Sequence, residues 1–434
     1  MTTGKDGLGR RRALATAAGG LLGAGAAAIA LAAVTAAGAD PDDSYRQLAR
    51  FGAVLALIEE KYVDRPDEAR LIDAALKAMV ASLDPHSGYV SGRAYRKFES
   101  FARGEIAGVG LTLVARGKGP AVARVMDGKS AARAGVLPGD RIVAIDGETT
   151  EGFTVARTLE KTRGAADSPV RLTVGRGATV RDVEVLRDCV ETRSVEFRVE
   201  SGDVGYIRIP QFIDSTAREV RSAMASLGAE VPPGVFKGYV LDLRNDPGGL
   251  VNQAVETVNA FVDGGTIVST RGRAAGADQI FTARPGENLS QGRPLAVLIN
   301  GGSASAAEIV AGALQDLKRA TLIGARTFGK GSMQSTIPLG DGALHFTPAL
   351  YFLPSGRSLQ ARGIDPDIEV PESGPAGAKA PGAGLGEASI KGHLKNPLGD
   401  RPASSAYIPP DPADDGQLSA AIDFLHGLAH ARRE

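Results

Sequence analysis

A serine and a lysine in two short loops could together perform nucleophilic catalysis. Ser305 ends a turn of small residues that connects an apolar run, Leu295–Asn300, to a helix-like segment. A hydroxyl at this point would lie among the free backbone N–H groups of a helix N-terminus. Lys330 follows in the next glycine-flanked loop. A lysine is protonated at its usual pKa of ~10.4, but burial can lower that pKa by several units, so that the neutral amine accepts the serine proton. Such a pair would catalyse acyl transfer through a covalent intermediate.

The same residues also have a purely structural interpretation. Ser305-Ala-Ala-Glu308 matches the capping box, a pattern that stabilises the start of a helix without any catalysis. Ser303 is a rival nucleophile, and a loop lysine is by default a solvated charge. Chemistry is favoured by the small residues around Ser305, which leave space for a substrate, and by the backbone N–H groups of a second glycine turn at Gly248 and Gly249.

The histidines indicate no further catalytic or metal-binding motif. None stands in a metal-binding H-E-x-x-H pattern or in a nucleophile elbow. Only His345, beside Phe346 on a predicted strand, could complete a Ser–His–Asp triad, which the pattern leaves unsupported but not excluded. Gly108-Val-Gly-Leu111 lacks the third glycine and the long helix of a dinucleotide motif. We therefore expect no metal and no cofactor. The five histidines are His86, His345, His393, His426 and His430.

Composition places the chain among ordinary globular proteins of two or three domains. It has 434 residues, with 43% hydrophobic and 23% charged residues. Fifty basic and fifty acidic residues balance, which gives no electrostatic reason to expect a nucleic-acid partner. The single cysteine, Cys189, excludes an intrachain disulfide and a multi-cysteine metal site, and we expect it to be a small buried residue.

The N-terminal segment 1–39 has the features of a secretory signal. Three arginines, Arg10–Arg12, precede an uncharged run rich in alanine, glycine and leucine, which ends in Ala37-Gly38-Ala39. The run is long enough to span a bilayer but poor in bulky residues. We expect export to the periplasm or another extracytoplasmic space, with cleavage near Asp40. An uncleaved membrane anchor is the main alternative, and a disordered cytoplasmic tail is a further one.

Residues 40–103 form a predicted N-terminal helical region. Apolar residues recur at three- and four-residue steps through two segments, up to Leu83. Asp84-Pro85 ends the second helix, since the residue before a proline disfavours helical geometry. A short third helix, Gly92 to Phe101, follows. This region or the tail helix could mediate assembly into a homo-oligomer.

From residue 104 to residue 190 the pattern changes to short alternating strands and glycine turns. The stretch Ser130-Ala-Ala-Arg-Ala-Gly-Val-Leu-Pro-Gly-Asp-Arg-Ile-Val-Ala-Ile-Asp-Gly147 resembles a PDZ domain. The resemblance implies that an extended C-terminal peptide adds to a strand edge. Its carboxylate would be received by the loop of Gly108, Val109, Gly110 and Leu111. The alternative is a small β-domain that serves as a spacer.

Strands and helices alternate from residue 191 to residue 372, which predicts a layered α/β domain with a largely parallel sheet. Sites in such sheets lie beyond the carboxyl ends of the strands. The glycine-rich turns at 246–249 and 301–305 both follow strands, and we expect them at the same edge. Residues 373–434 are predicted to be a flexible linker and tail with a short amphipathic helix, from Gln417 to Leu428.

The chain from about Phe51 to Val370 resembles the C-terminal processing proteases, also called tail-specific proteases. Besides the PDZ sequence, the resemblance rests on four motifs: Asp84-Pro-His-Ser87, Leu241-Asp-Leu-Arg-Asn-Asp-Pro-Gly-Gly249, Ser303-Ala-Ser-Ala-Ala-Glu-Ile309 and Phe328-Gly-Lys-Gly-Ser-Met-Gln334. It implies a serine endopeptidase with a crotonase/ClpP-like layered α/β core, into which a small PDZ domain is inserted behind an N-terminal helical arm.

The resemblance also implies a role for each site residue. Ser305 would be the nucleophile, Lys330 the general base, and Gln334 the residue that orients the lysine. The oxyanion hole would use the backbone N–H groups of Gly248 and Ala306. Ala307 departs from the serine common in the family, without touching the chemistry, and His345 is atypical and is assigned no role.

The expected partners are protein substrates with accessible apolar C-termini, with an adaptor protein as a further possibility. Occupancy of the PDZ domain is expected to switch the protease between inactive and active arrangements. The main alternative is a catalytically silent PDZ scaffold that holds client protein tails. An acyl-transfer enzyme of the related crotonase-like fold is a weaker third interpretation, which the PDZ domain disfavours.

Overall fold

The computed structural model describes residues 41–91, 105–116, 119–126, 128–164, 167–191, 194–340, 342–370, 385–409 and 411–427. The predicted signal or anchor segment 1–39, the predicted helix from Gly92 to Phe101 and the linker up to residue 384 lie outside these ranges. The described residues divide into two compact units, one that ends at Leu76 and one that begins at Lys77.

The helices and strands are numbered in chain order. The N-terminal part contains α1 (Pro41–Lys61), α2 (Glu68–Ala81) and β1 (Gly88–Ser91). Next come β2 (Glu105–Gly108), β3 (Leu111–Arg116), β4 (Gly119–Val125), α3 (Ser130–Arg133), β5 (Arg141–Ile145), β6 (Glu148–Thr149), α4 (Val155–Thr162), β7 (Pro169–Arg176), β8 (Thr179–Leu186) and β9 (Asp188–Glu191).

The core and the tail follow. They comprise β10 (Glu196–Glu200), β11 (Val204–Arg208), α5 (Thr216–Glu230), β12 (Gly238–Asp242), α6 (Val251–Asn259), β13 (Thr266–Gly272), β14 (Gln279–Thr282), β15 (Leu295–Ile299), α7 (Ala306–Asp316), β16 (Thr321–Gly324), β17 (Ser332–Leu339), β18 (Gly342–Phe352), β19 (Ile368–Glu369) and α8 (Gly416–Leu425). Two short 3-10 helices, Glu387–Ser389 and Pro412–Asp414, precede α8.

In the first unit, α1 leaves much of its apolar face exposed. Leu48 is 65% exposed and Phe51 48% exposed. The side chain of Asp67 accepts the backbone N–H of Arg70 and so caps the start of α2. No helix among the described residues is long and apolar enough to cross a membrane.

The centre of the second unit is a six-stranded sheet in the order β10-β11-β12-β15-β16-β19. The β10–β11 pair is antiparallel, and the other four pairs are parallel. Strands β12 and β15 are buried along their whole length. A parallel strand covered on both faces needs this kind of continuous apolar sequence. The predicted α/β fold class is therefore confirmed.

Helices cover both faces of this sheet. Residues of α5, α6 and α7 pack in one large apolar cluster with Ile207, Leu241 and Val297 of the sheet. The alternate residues of the same strands, such as Tyr206 and Val240, point to the other face and pack against α8. The predicted crotonase/ClpP-like form of this layering remains a prediction.

A second sheet carries the order β1-β18-β13-β14, with β17 also paired to β18. Strand β1 pairs antiparallel with β18, and Gly88 lies opposite His345. The N-terminal region predicted as helical thus includes a strand that joins the core. Strand β17, which follows the loop of Lys330, pairs with the same strand β18. The motif Asp84-Pro-His-Ser87 is therefore brought close to the loop of Lys330.

The predicted PDZ region has a sheet in the order β3-β4-β5-β7-β8, a two-stranded β2–β9 pair and the helices α3 and α4. Its own core contains Val109, Val122, Ile142 and Leu172. Strand β3 is an edge strand of the sheet.

The C-terminal segment differs from the predicted flexible tail. Backbone hydrogen bonds join the segment 385–409 to the core, such as those from Glu387 N–H to Phe328 O and from Arg401 N–H to Ala361 O, and α8 forms a layer of the core. A buried guanidinium, Arg244, makes a two-pronged contact of 2.8 Å per bond with Asp415, which caps α8 by accepting the N–H of Leu418. The sequence prediction missed this because the partners lie far apart in the chain and the intervening linker is rich in proline, glycine and alanine.

Candidate active site

Ser305 lies in a strained turn between β15 and α7. Its φ of 55° and ψ of −112° place it in a region that residues other than glycine rarely adopt. The turn can form because its neighbours are small, and α7 is buried from Ala306 to Leu314. Ser305 lies at the edge of this buried region, with 9% of its surface exposed.

The two candidate serines have different surroundings. Ser303 is fully buried; its hydroxyl donates to Leu243 O at 2.7 Å and accepts the N–H of Asn300 at 3.0 Å. That hydroxyl therefore holds the turn together. Ser305 is therefore the better candidate for the nucleophile.

The two glycine turns lie side by side, at one edge of the sheet. The backbone N–H of Ala304 donates to Asp246 O at 2.8 Å. Gly248 has a φ of +95°, and a Cβ added there would lie 2.8 Å from Ser305 Cβ and 2.9 Å from Ala306 N. Only a residue without a side chain allows this approach.

Both predicted oxyanion-hole donors are next to Ser305, but one of them already has a partner. Ala306 begins α7, where N–H groups lack intrahelical acceptors. The N–H of Gly248 instead donates to Asp246 Oδ1 at 2.7 Å. Asp246 is fully buried, its Oδ2 has no hydrogen-bond partner, and burial raises the pKa of this carboxyl well above its usual value.

One buried carboxylate, that of Glu308, joins the turn of Ser305 to the loop of Lys330. Glu308 Oε2 accepts the backbone N–H groups of Ser305 at 2.9 Å and Lys330 at 2.8 Å, while Oε1 accepts the N–H of Gly329 at 2.8 Å and the hydroxyl of Thr327. Glu308 has no exposed surface, and burial raises its pKa to about 7 against the opposing effect of these donors. Glu308 therefore accepts hydrogen bonds from the backbone of two loops, whereas a capping box requires only the one to Ser305.

The environment of the Lys330 amine suits a base. Burial lowers its pKa, which favours the neutral form, while the nearby carboxylates of Glu387, Glu308 and Asp84 partly oppose this effect. Among the described residues no hydrogen bond joins Ser305 Oγ to Lys330 Nζ.

Gln334 lies on β17, four residues after Lys330. Its amide nitrogen donates to Ser332 Oγ at 2.9 Å and to Thr347 Oγ1 at 3.2 Å. Its role in orienting the lysine stays a prediction. His345 shares a 2.8 Å hydrogen bond with Thr336 Oγ1, and burial and the charge of Lys330 lower its pKa.

Sequence reasoning missed two groups beside Lys330. His86 follows the proline that ends the α2 region, and Glu387 lies in the segment predicted to be flexible. Their side chains meet, with His86 Nε2 2.8 Å from Glu387 Oε2. The only sequence signal was the motif Asp84-Pro-His-Ser87; Glu387 had none. No group of His, Cys, Asp and Glu within the described ranges could hold a metal ion.

The predicted peptide-binding loop lies at the start of the edge strand β3. Gly108 and Val109 are buried, and the carbonyl of Val109 accepts the N–H of Ala131 at 3.0 Å. Gly110 has a φ of +77°, and a Cβ there would lie 2.4 Å from the Cβ of Lys129. Leu111 then begins β3. The loop is thus built around a glycine that no larger residue could replace without a shift of its neighbour.

Comparison with known proteins identifies two domains. The model of peptidase family S41 matches residues 203–370, and a PDZ domain model matches residues 122–176. A carboxy-terminal-processing protease of Bartonella bacilliformis is 43% identical over 395 residues, which cover 90% of this chain and 91% of that protein.

The chain is also similar to more distant proteins. A probable CtpA-like serine protease of Staphylococcus aureus is 32% identical over 319 residues; the match covers 73% of this chain and 63% of that protein's length. A solved photosystem II D1 C-terminal processing protease is 29% identical with a TM-score of 0.45, covering 74% of this chain and 92% of that one. The 43% identity over nearly the whole chain shows that this chain belongs to the carboxy-terminal-processing proteases of peptidase family S41, with a PDZ domain.

Proposed function

We propose that the protein is an endopeptidase that binds the free apolar C-terminus of a protein substrate in its PDZ domain and cleaves that substrate with Ser305 and Lys330. The observation that carries this proposal is the bridge made by Glu308, which ties the backbone of Ser305 to that of Lys330. Two loops that are separate in the sequence are thereby kept in one site.

The proposed reaction begins with attack of Ser305 Oγ on the scissile carbonyl carbon. Lys330 Nζ takes the hydroxyl proton, and the N–H of Ala306 and the N–H of Gly248 face the oxyanion that forms. Lys330 then gives its proton to the leaving amine, which breaks the peptide bond. Water then gives a proton to the neutral amine of Lys330 and attacks the acyl carbon. The bond from that carbon to Ser305 Oγ breaks, Lys330 returns the proton to Ser305 Oγ, and the second product leaves with a free carboxyl end.

Two features support a resting state of the site, in which the groups must move when substrate binds. The lysine amine is not hydrogen-bonded to Ser305 Oγ in the described structure, and the N–H of Gly248 is held by Asp246. Misplacement by ~1 Å can cost about 10²-fold in rate. We propose that binding of a C-terminus to the PDZ domain drives the small movements that complete the site. Gln334 would orient the lysine after this change.

The proposed peptide site uses the edge strand β3. A peptide that pairs with its free edge would end at the loop of Gly108, Val109, Gly110 and Leu111, whose backbone would receive the terminal carboxylate. We expect selectivity for apolar last residues. An adaptor that delivers substrates and a homo-oligomer formed through the helical region or the tail remain predictions.

The dyad is tested with an unfolded reporter protein that ends in apolar residues. Ser305→Ala and Lys330→Ala are expected to reduce cleavage at least about 10³-fold. Ser222→Ala and Lys237→Ala, at exposed positions, are the matched controls and should keep wild-type rates. Near-full activity in either site variant would refute the dyad. Mass spectrometry after treatment with a fluorophosphonate should find the label on Ser305.

The PDZ role is tested with two reporters that differ only in their last residues, one apolar and one acidic. Gly110→Ala should raise KM for the apolar reporter, since its φ of +77° and its contact with Lys129 leave no room for a methyl group. Gly119→Ala is the control, because a Cβ there meets only Thr150 O at 3.6 Å. Tail binding without any cleavage or labelling of Ser305 would support the silent scaffold instead.

We also propose export, which rests on Arg10–Arg12 and the uncharged run that follows. N-terminal sequencing of the protein recovered from cells should begin near Asp40. Recovery of the full N-terminus in the membrane fraction would favour the uncleaved anchor, and recovery of the full-length chain in the cytoplasm would contradict export.

A further inference from the structure

The C-terminal segment contributes to the base loop directly. The backbone N–H of Glu387 donates to Phe328 O at 3.0 Å, two residues before Lys330. Gly386 packs so closely there that a Cβ would lie 2.8 Å from the same oxygen. This segment follows the 203–370 range matched by the S41 family model.

The Glu387 side chain forms a second link to the same loop. Its Oε1 accepts the amide of Gln360 at 3.0 Å, and Gln360 Oε1 accepts the N–H of Gly331 at 2.9 Å. His86 Nε2 lies 3.0 Å and 2.8 Å from the two carboxylate oxygens. Glu387 is therefore joined to the chain on both sides of Lys330, and its carboxylate is completely buried.

The charged groups around the Lys330 amine come from four elements. Glu308 lies on α7, Asp84 and His86 precede β1, and Glu387 lies in the C-terminal segment. His345 on β18 also faces this cluster, since the charges of Lys330, Asp84 and His86 all act on its pKa. Among the three carboxylates, Glu387 has the largest effect on Lys330, and it favours the protonated amine.

The burial of Glu387 fixes the position of its charge. A buried charge must have partners, and here they are His86 and Gln360. Because the carboxylate is fixed by those partners, its distance from the lysine loop is fixed as well. A solvated glutamate would be screened and would move freely.

We propose that Glu387 is a positioning residue for the general base: through Gln360 and its own backbone it holds the Phe328–Gly331 loop, and its negative charge sets the pH range in which Lys330 can accept a proton. The proposal rests on the proposed function, in which Lys330 is the base. Glu387 itself neither touches the substrate nor transfers a proton.

The test compares the pH dependence of kcat/KM for the wild-type protein and Glu387→Gln on the apolar-tailed reporter. The glutamine keeps an acceptor for Gln360 but removes the charge, so the lysine loses its proton more easily. The acid limb of the profile should move down by about one pH unit. Glu196→Gln is the matched control, because it removes an exposed carboxylate on β10, at the far edge of the sheet from β16. Its profile should match that of the wild type.

A second readout does not need proteolysis. In a Ser305→Ala background, the pH dependence of Lys330 acetylation by acetic anhydride, followed by mass spectrometry, reports the fraction of neutral amine. Its midpoint should fall by a similar amount when Glu387→Gln is added. An unchanged acetylation midpoint overturns the proposal for Glu387, even if Ser305 and Lys330 prove essential. Conversely, full activity of Lys330→Ala overturns the proposed function, whatever the acetylation shows.

The variant Glu387→Asp changes the position of the carboxylate but keeps its charge. It also tests the proposal if Glu387→Gln does not fold. It retains the charge but is too short by one methylene to reach Gln360 with the same geometry. The acid limb should stay where it is in the wild type, while kcat falls at least about 3-fold. Wild-type kcat in Glu387→Asp would show that the link through Gln360 does not position the loop, and so contradicts the proposal.

Discussion

Glu308 Oε2 lies 2.8 Å from the backbone nitrogen of Lys330, and the same oxygen accepts the N–H of Ser305 at 2.9 Å. One atom thus fixes the backbone of the proposed base relative to that of the proposed nucleophile. In a capping box the glutamate side chain needs only its bond to the N–H of the N-cap residue, here Ser305. The additional bonds to the lysine loop explain why the glutamate is buried inside the protein rather than exposed at a helix end.

Replacing Glu308 with glutamine should uncouple the two loops. The amide NH2 cannot accept hydrogen bonds, so at least two of the four donors around the side chain lose their partner, at about 1–3 kcal/mol for each buried group. We expect kcat to fall about 10²-fold with little change in KM, together with a lower Tm. Steady-state kinetics and thermal unfolding measure this. Glu230→Gln, at an exposed position of α5, is the control and should change neither quantity.

The penalty of Glu308→Gln should also depend on pH. Burial raises the pKa of Glu308 from 4.5 to about 7 in the folded chain, so the folded chain holds more protons than the unfolded chain between these values. Stability from this group is full below about pH 4.5 and is lost as the pH rises towards about 7. Urea unfolding should therefore show a larger difference between wild type and Glu308→Gln at pH 5 than at pH 7, by about 2 kcal/mol. A difference that grows towards pH 7 would contradict the raised pKa.

Gly248→Ala should disable the site while leaving most of the fold intact. A methyl group would lie 2.7 Å from Ala304 O and 2.8 Å from Ser305 Cβ, so the nucleophile turn must move. The backbone N–H of residue 248 is kept but would be displaced from the oxyanion. Loss of one oxyanion donor typically costs about 10²–10³-fold in turnover, and we expect a decrease of this size in kcat. Gly228→Ala on α5 has no atom within 4 Å of its added Cβ and should stay active. Activity of Gly248→Ala within about 3-fold of wild type would remove Gly248 from the proposed oxyanion hole.

Asp415→Ala should destabilise the core from its C-terminal layer. The buried guanidinium of Arg244 would keep Asp242 but lose its two-pronged partner on α8. Breaking a buried pair in this way costs about 3–5 kcal/mol, measurable by urea unfolding. Asp414→Ala, its exposed neighbour, should cost less than about 0.5 kcal/mol. Equal stability of the two variants would show that α8 contributes little to the core.

The sequence determined the local features of this protein. Continuous apolar runs such as Leu295–Ile299 predicted buried parallel strands, and glycine turns after them predicted a shared edge, because both depend on neighbouring residues only. The capping box at Ser305 was visible as a pattern of four residues. The PDZ domain and the protease family could be identified from motifs whose residues are close together in the chain.

Only the tertiary structure decided which distant groups meet. His86 and Glu387 are 301 positions apart, yet they share a hydrogen bond beside the lysine loop. The pairing of β1 with β18 and the packing of the C-terminal segment bring them together, and neither leaves a periodic signal in the sequence. The pKa shifts also depend on the tertiary structure. The pKa values of the Glu308 carboxylate and the Lys330 amine change mainly because the folded chain removes water from around these groups.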